Sequence, residues 1–290
     1  MPQLHRSPQR IVSLAPSNTE ILFALGLGPR VVGVDDDSDH PAAVAALPRV
    51  GRDLQIDVER VAALHPDLVF ASLSVPGMER NVAALEARGL PFVVLNPTSL
   101  DEVLDTMRTV GRLTGVEPTA TAVVGALERR IAAVRSATEG IAAGARPRVY
   151  WEWWPRPPIS PGRRSWIGDL LRVAGACNLF GDVEATSFVV DDAAVRAADP
   201  EVAIACYCGA RRLVAPEKLA ARPGWQDLRA TRSGRLYALL EASFGRPGPR
   251  LVDGLELLCG LLHPGLLPVA DAELARRRDE VRGLRTESLP

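Results

Sequence analysis

The feature that most constrains this chain is an internal echo. The segment from Asp57 to Ser72 aligns without gaps on the segment from Asp191 to Cys206. Asp57 matches Asp191, Val61 matches Val195, Pro66 matches Pro200 and Ala71 matches Ala205, while acidic Asp67 stands opposite Glu201. Each copy reads as an acidic start, a helical run, a proline turn and a buried strand. The matched order of elements points to duplication. The length agrees: 290 residues exceed one typical domain of ~100–150 and suit two.

The flanking sequence extends the pattern. Ile11 to Leu14, Val31 to Val34, Leu68 to Ala71 and Phe92 to Leu95 read as short strands. Helical runs over Glu20 to Leu25, Val58 to Leu64, Met78 to Arg88 and Leu100 to Gly115 alternate with them. Such alternation implies a parallel sheet covered by helices. From Pro118 to about Thr138, Leu127, Ile131 and Val134 recur at helical spacing. That run is long enough to act as a rigid strut of roughly 30 Å. After it, Arg148 to Trp151 restarts the strand pattern and Trp166 to Val173 reads as a helix. The expected fold class is therefore α/β: two related parallel-sheet lobes joined by a single long α-helix, with a ligand cleft between them. The expected division is residues 1–116, 117–145 (connecting helix), 146–270 and 271–290 (charged tail).

Composition excludes several classes. At 47% hydrophobic with a net charge of −1, the chain is not disordered. Its 34 basic and 35 acidic residues balance without a basic block, so no nucleic-acid partner is expected. Lys218 is the sole lysine, which reads as genome composition. No apolar run reaches the ~18–20 residues of a membrane span. Met1 to Arg10 is polar and holds no apolar core, so no signal peptide is expected there. Cys177, Cys206, Cys208 and Cys259 fit neither a disulfide scaffold nor a structural zinc site. There is no P-loop lysine motif, no GxSxG elbow and no HExxH, and nothing nominates an enzyme active site.

Ligands of open parallel sheets bind beyond the carboxyl ends of the strands, which selects the candidates. Four of the five tryptophans fall between Trp151 and Trp166. Trp151 reads as core. Trp153, Trp154 and Trp166 lie at or past a strand end, where wide flat indoles suit a large flat ligand. Asp35-Asp-Asp-Ser-Asp39-His40 follows the second strand and is read either as a cation site or as a solvated acidic loop. Of these residues, Asp37 and His40 are the balanced cases. Tyr207 and Cys208 follow another strand, while Cys206 reads as buried. Phe244 to Arg250 forms a loop in which Arg246 can meet a ligand and Arg250 anchors a helix.

At these residues the chain resembles the helical-backbone class of ABC-importer solute-binding proteins, in its cobalamin-binding branch. The resemblance spans about Arg10 to Pro264. It rests on Arg10 to Glu20, Ser38 to Pro41, Asp57 to Ser72, Gly77 to Arg80, Trp151 to Pro158 and Arg246 to Arg250. It implies that Glu79 is a lobe-tip glutamate docking on the permease, whereas the second such position is Gly245 here. A cleft tyrosine of the family falls at Asp37, a cleft tryptophan near Leu73, and an aromatic position at Trp153.

The implied function is capture of a metal chelate, cobalamin or another corrinoid, without catalysis. Trp153, Trp154, Trp166 and Phe244 form an expected aromatic wall, and His40 is the expected contact to the metal. Ser17, Asn18, Asp37, Leu73, Glu152, Tyr207 and Arg246 complete the expected site. Haem, a ferric siderophore or a bare metal ion on the same fold is the alternative, and a chelatase-type enzyme ranks last. No resident cofactor is expected. The expected partners are the small-molecule ligand and an ABC permease, with the protein a monomer. The resemblance implies a periplasmic location, and the missing signal a cytoplasmic one.

Overall fold

The computed structural model describes residues 7–210 and 212–283. The chain forms two compact units, one running to Glu128 and including Pro247–Pro249, the other Arg129–Arg246 and the chain from Arg250 onward.

In the first unit the order is β1 (Ile11–Ser13), α1 (Pro16–Ala24), β2 (Val31–Val34), β3 (Gly51–Arg52), β4 (Gln55–Ile56), α2 (Val58–Ala63), β5 (Leu68–Ser72), α3 (Glu79–Ala87), β6 (Phe92–Leu95), α4 (Leu100–Thr114) and α5 (Glu117–Thr138). Four strands form a parallel sheet in the order β2-β1-β5-β6, and β3 and β4 pair as a separate hairpin. The strands are apolar because helices cover them; Val12, Val69 and Ala71 lie in a core with Val61 and Leu85. Pro16 does not break the chain. It takes the first position of α1, where a missing N–H is harmless, so Ser17 and Asn18 lie in the helix rather than in a turn. Ser99 caps α4 by accepting the Glu102 N–H at 3.2 Å. The Glu102 carboxylate reaches back to the Thr98 N–H at 2.6 Å.

The second unit continues with β7 (Arg148–Glu152), β8 (Trp154–Pro155), β9 (Pro158–Pro161), α6 (Trp166–Val173), β10 (Cys177–Asn178), β11 (Ser187–Val189), α7 (Asp192–Ala198), β12 (Val202–Ala205), α8 (Glu217–Ala220), α9 (Arg229–Arg232), β13 (Leu236–Leu239), α10 (Leu251–Leu262), α11 (Pro268–Arg276) and β14 (Val281–Gly283). Its main sheet runs β10-β7-β12-β13, all parallel, with β14 added antiparallel at the edge. The four parallel strands repeat the connectivity of the first unit, strand for strand. The region expected as a charged tail holds α11, packed on α10. Gly260 permits this, because a β-carbon there would lie 2.6 Å from the Ala270 carbonyl oxygen.

The echo is visible at atomic level. Asp57 and Asp191 each cap a short helix with the side chain. His65 and Asp199 then take positive φ, 47° and 44°, before Pro66 and Pro200. Asp67 accepts the Arg10 N–H at 3.0 Å, as Glu201 accepts the Arg148 N–H at 2.8 Å. In each copy the acidic residue's own N–H returns to the same partner's carbonyl.

The α5 helix runs for 22 residues, or about 33 Å at ~1.5 Å per residue. Its buried positions Ala120, Val124 and Leu127 belong to the first unit, and Ile131, Val134 and Thr138 to the second. Within the second unit, Arg130 ends on Glu256 and Asp253 at 2.7 Å each, and Arg277 meets Asp253 at 2.8 Å.

Candidate functional site

Parallel register sets which groups gather at a strand edge. In the second unit, Glu152 pairs with Ala205, and Ala205 with Ala238. The chain therefore leaves β7 and β12 side by side. Tyr150 and Glu152 share a strand face, being two apart, so the Tyr150 hydroxyl reaches Glu152 Oε2 at 2.7 Å. Tyr207, two residues past β12, donates to Oε1 at 2.6 Å. Arg222, just after α8, lays a fork across both oxygens at 2.7 Å on each arm.

A carboxylate has about four acceptor positions, and all four of Glu152 are filled from within the unit. The side chain is fully buried. It is consequently an organiser of Tyr207 and Arg222, in place of the ligand contact expected of it. Burial, then the Glu152 charge, pushes both phenols well above the usual tyrosine range. Burial disfavours the Arg222 cation, but the bonds to Glu152 outweigh that and raise its affinity for the proton. Arg222 also stands 4.7 Å over the ring of buried Trp225.

Beside this group lies a cavity of about 750 Å³, lined by Pro155, Arg156, Pro157, Pro158, Asp192, Tyr207, Val214, Lys218, Leu219 and Arg222. That volume is in the range of small-molecule sites. The prolines come from the β8–β9 hairpin, which follows Glu152 directly because the Trp153 N–H bonds the Ile159 carbonyl at 2.7 Å.

The structure sorts the expected aromatic wall into two groups. Trp166 is 7% exposed and donates to the Phe244 carbonyl at 2.7 Å. Phe244 is buried against Trp151, with rings 5.3 Å apart. Both are core residues, because α6 and the Phe244 loop close over the sheet. Trp153 is half-buried on Trp166 at 5.7 Å, and its buried indole N–H has no partner. Trp154 is 45% exposed and hydrogen-bonds the Arg156 carbonyl at 3.2 Å. Its neighbour across the small antiparallel sheet is Ile159, which pairs in turn with Val189, exposed at 61%.

In the first unit, Ser13 pairs with Val34 and Phe70, so the carboxyl ends of β1, β2 and β5 also align. Asn18 is buried, and its amide nitrogen donates to the carbonyls of Phe70 and Ala71 at 3.2 and 3.0 Å. Asn18 thereby pins α1 to the end of β5. Ser17 is buried too. Thr19 joins Ser13 and Ser38 at 2.8 Å each, and Ser38 donates to Asp35. Burial raises Asp35 to about 6, against the pull of the Ser38 bond.

The remaining predicted residues lie toward the surface of this unit. Asp37 accepts from Arg52 at 3.3 Å. His40 is exposed beyond it and Leu73 is half-buried after β5. Among the described residues, no group of three or more His, Cys, Asp or Glu side chains is arranged to hold a metal ion. The acidic loop therefore does not form the cation site weighed for it: Asp35 is turned inward to Ser38 and Asp36 accepts the Gly51 N–H at 3.2 Å. Glu79 is exposed at the start of α3 and closes a turn on the Gly77 N–H at 2.7 Å.

In the Phe244 loop of the second unit, Arg246 Nε lies 3.9 Å from Glu241. A β-carbon at Gly245 would run into the Glu241 side chain, so a larger residue there needs that side chain to move. Tyr150, Asp192 and Arg222 were not foreseen. One arginine among 33 carries no local signal, and Lys218 was visible only as a rarity.

Among the described residues no helix is long and apolar enough to cross a membrane. The model of the family described as "Periplasmic binding protein" matches residues 11–242, and the chain belongs to that family. Its fold is that of the solute-binding proteins that serve ABC importers. It is 31% identical over 264 residues to an uncharacterised ABC transporter substrate-binding lipoprotein of Bacillus subtilis, YvrC, covering 90% of this chain and 82% of that one. The crystal structure of the periplasmic vitamin B12 binding protein BtuF of Vibrio cholerae matches with a TM-score of 0.74 and 26% identity, over 88% of this chain and 97% of that one. A periplasmic heme binding protein from Pseudomonas aeruginosa matches with a TM-score of 0.77 and 28% identity, over 89% and 94%.

Proposed function

We propose that this protein captures a metal chelate, a corrinoid such as cobalamin, and hands it to an ABC permease outside the cytoplasmic membrane. The observation that carries the reading is the cavity of about 750 Å³ in the second unit, with Trp154 on the hairpin that helps line it and Trp153 just before that hairpin. Indoles give broad contact to a flat macrocycle at little entropic cost. Similarity to a vitamin B12 binding protein supports the corrinoid.

In this reading the protein binds and releases without catalysis, and needs no resident cofactor. Trp153, Trp154, Tyr207 and Arg246 of the second unit are its proposed contacts. Glu79 is proposed as the docking acid for the permease.

The test is incubation with cyanocobalamin, desalting, and measurement of the retained visible band and of tryptophan quenching. Retention at near one equivalent supports the reading. No retained band and no quenching would sink it. A second reading, haem as ligand, is favoured by the likeness to the Pseudomonas heme binding protein. A Soret band after haem loading, with no corrinoid uptake, would select it.

A further inference from the structure

We infer that the second-unit cavity is a specificity pocket for a neutral carboxamide arm of the ligand, read by Asp192, Tyr207 and Lys218. The inference rests on the corrinoid reading and adds which chemical form of such a ligand is selected.

The cavity is mostly apolar on one side, where Pro155, Pro157, Pro158, Val214 and Leu219 stand. Its polar groups are few and unusually well defined. Tyr207 gives its proton to Glu152, so its oxygen is available only as an acceptor. That assignment is enforced, because the other three acceptor positions of Glu152 are taken by Tyr150 and the Arg222 fork. The Asp192 carboxylate is a second acceptor: its side chain is 43% exposed, and Oδ1, covered and without a hydrogen-bond partner among the described residues, stands 3.7 Å from Arg222. Lys218 is the chain's one lysine, and among the described residues no side-chain hydrogen bond or ion pair engages it.

The wall therefore offers two acceptors and one strong donor. An alkylammonium would satisfy the acceptors but would face Lys218, Arg156 and Arg222. A carboxylate or phosphate would suit those cations but would present oxygen to Asp192 and Tyr207, leaving both acceptors unfilled beside a like charge. A primary carboxamide satisfies both sides: its N–H groups to Asp192 and Tyr207, its carbonyl to Lys218. A carboxylate set against the Asp192 charge, or a wall donor or acceptor left unmet, disfavours the wrong form.

Equilibrium dialysis of the full chain with cyanocobalamin, and with its separated singly hydrolysed forms in which one propionamide has become a carboxylate, tests this. The expected result is a loss of about tenfold in affinity for at least one hydrolysed form. Asp192→Asn, which supplies a donor to the acid, is expected to shrink that difference to about twofold. Lys218→Met is expected to weaken the amide form about tenfold, with circular dichroism melts showing both variants folded. Equal binding of every form, or a difference untouched by Asp192→Asn, overturns the inference while leaving corrinoid capture standing. No binding of any form overturns both.

Discussion

Arg222 lies flat against Glu152, each guanidinium nitrogen 2.7 Å from its own carboxylate oxygen, with the acid fully buried. Neither charge is tolerable alone in that position. Glu152→Gln is expected to destabilise the protein by about 3–5 kcal/mol, since it strands Arg222. Tyr207→Phe removes one bond and is expected to lose only about 1 kcal/mol. Urea unfolding of the two variants checks the ranking, and equal losses would contradict it.

Asp35 gives a pH dependence of known sign. Its folded value near 6 lies above the unfolded 3.8. The folded state thus prefers the protonated acid, so the stability it lends is present below about pH 4 and is lost as pH rises through 6. Asp35→Asn removes the titration. Two pH units correspond to roughly 3 kcal/mol. Asparagine is therefore expected to match wild type at pH 4 and to exceed it by up to about that much at pH 7, less any loss in the Ser38 and Asp37 bonds. Thermal melts across that range read the difference directly, and a variant less stable at pH 7 than at pH 4 relative to wild type refutes the assignment.

The tryptophans separate by role. Trp166→Ala opens the core and is expected to cost about 3–5 kcal/mol. Trp153→Ala is expected to cost less in stability and to lose most of the ligand-induced fluorescence change. A reversal of those two outcomes would show that Trp153, not Trp166, is the structural member of the pair.

His65 and Asp199 hold the same left-handed position in the two copies, but only Asp199 has a use for its side chain, which accepts the Arg229 N–H at 2.9 Å. His65→Gly should be neutral or stabilising by up to about 1 kcal/mol, because glycine removes the strain at some entropic cost. Asp199→Gly should destabilise. Calorimetry of the pair distinguishes them.

The duplication was the most legible part of this chain, because helix caps, proline turns and apolar strands are local signals. The acidic starts at Asp57 and Asp191 and the Trp166–Val173 helix could be read to the residue, and all four strands of the first sheet to within one. The site was less so. Trp153 and Trp166 look alike in sequence, and which one is covered depends on where the Phe244 loop folds back. Arg222 reaches Glu152 from 70 positions away, and no short-range pattern marks it. The first helix begins at Pro16, four residues before the Glu20 to Leu25 run that marks it in sequence, because proline is as welcome at a helix start as in a loop.

The lone lysine has a practical consequence. An acylating reagent offered to the folded protein meets one ε-amine in the entire chain, and that amine lines the cavity. The rate at which mass increments accumulate on Lys218 is therefore a clock for access to that single place, and a small molecule lodged there should slow it. Candidate cargoes can be ranked this way, coloured or not, without altering a residue.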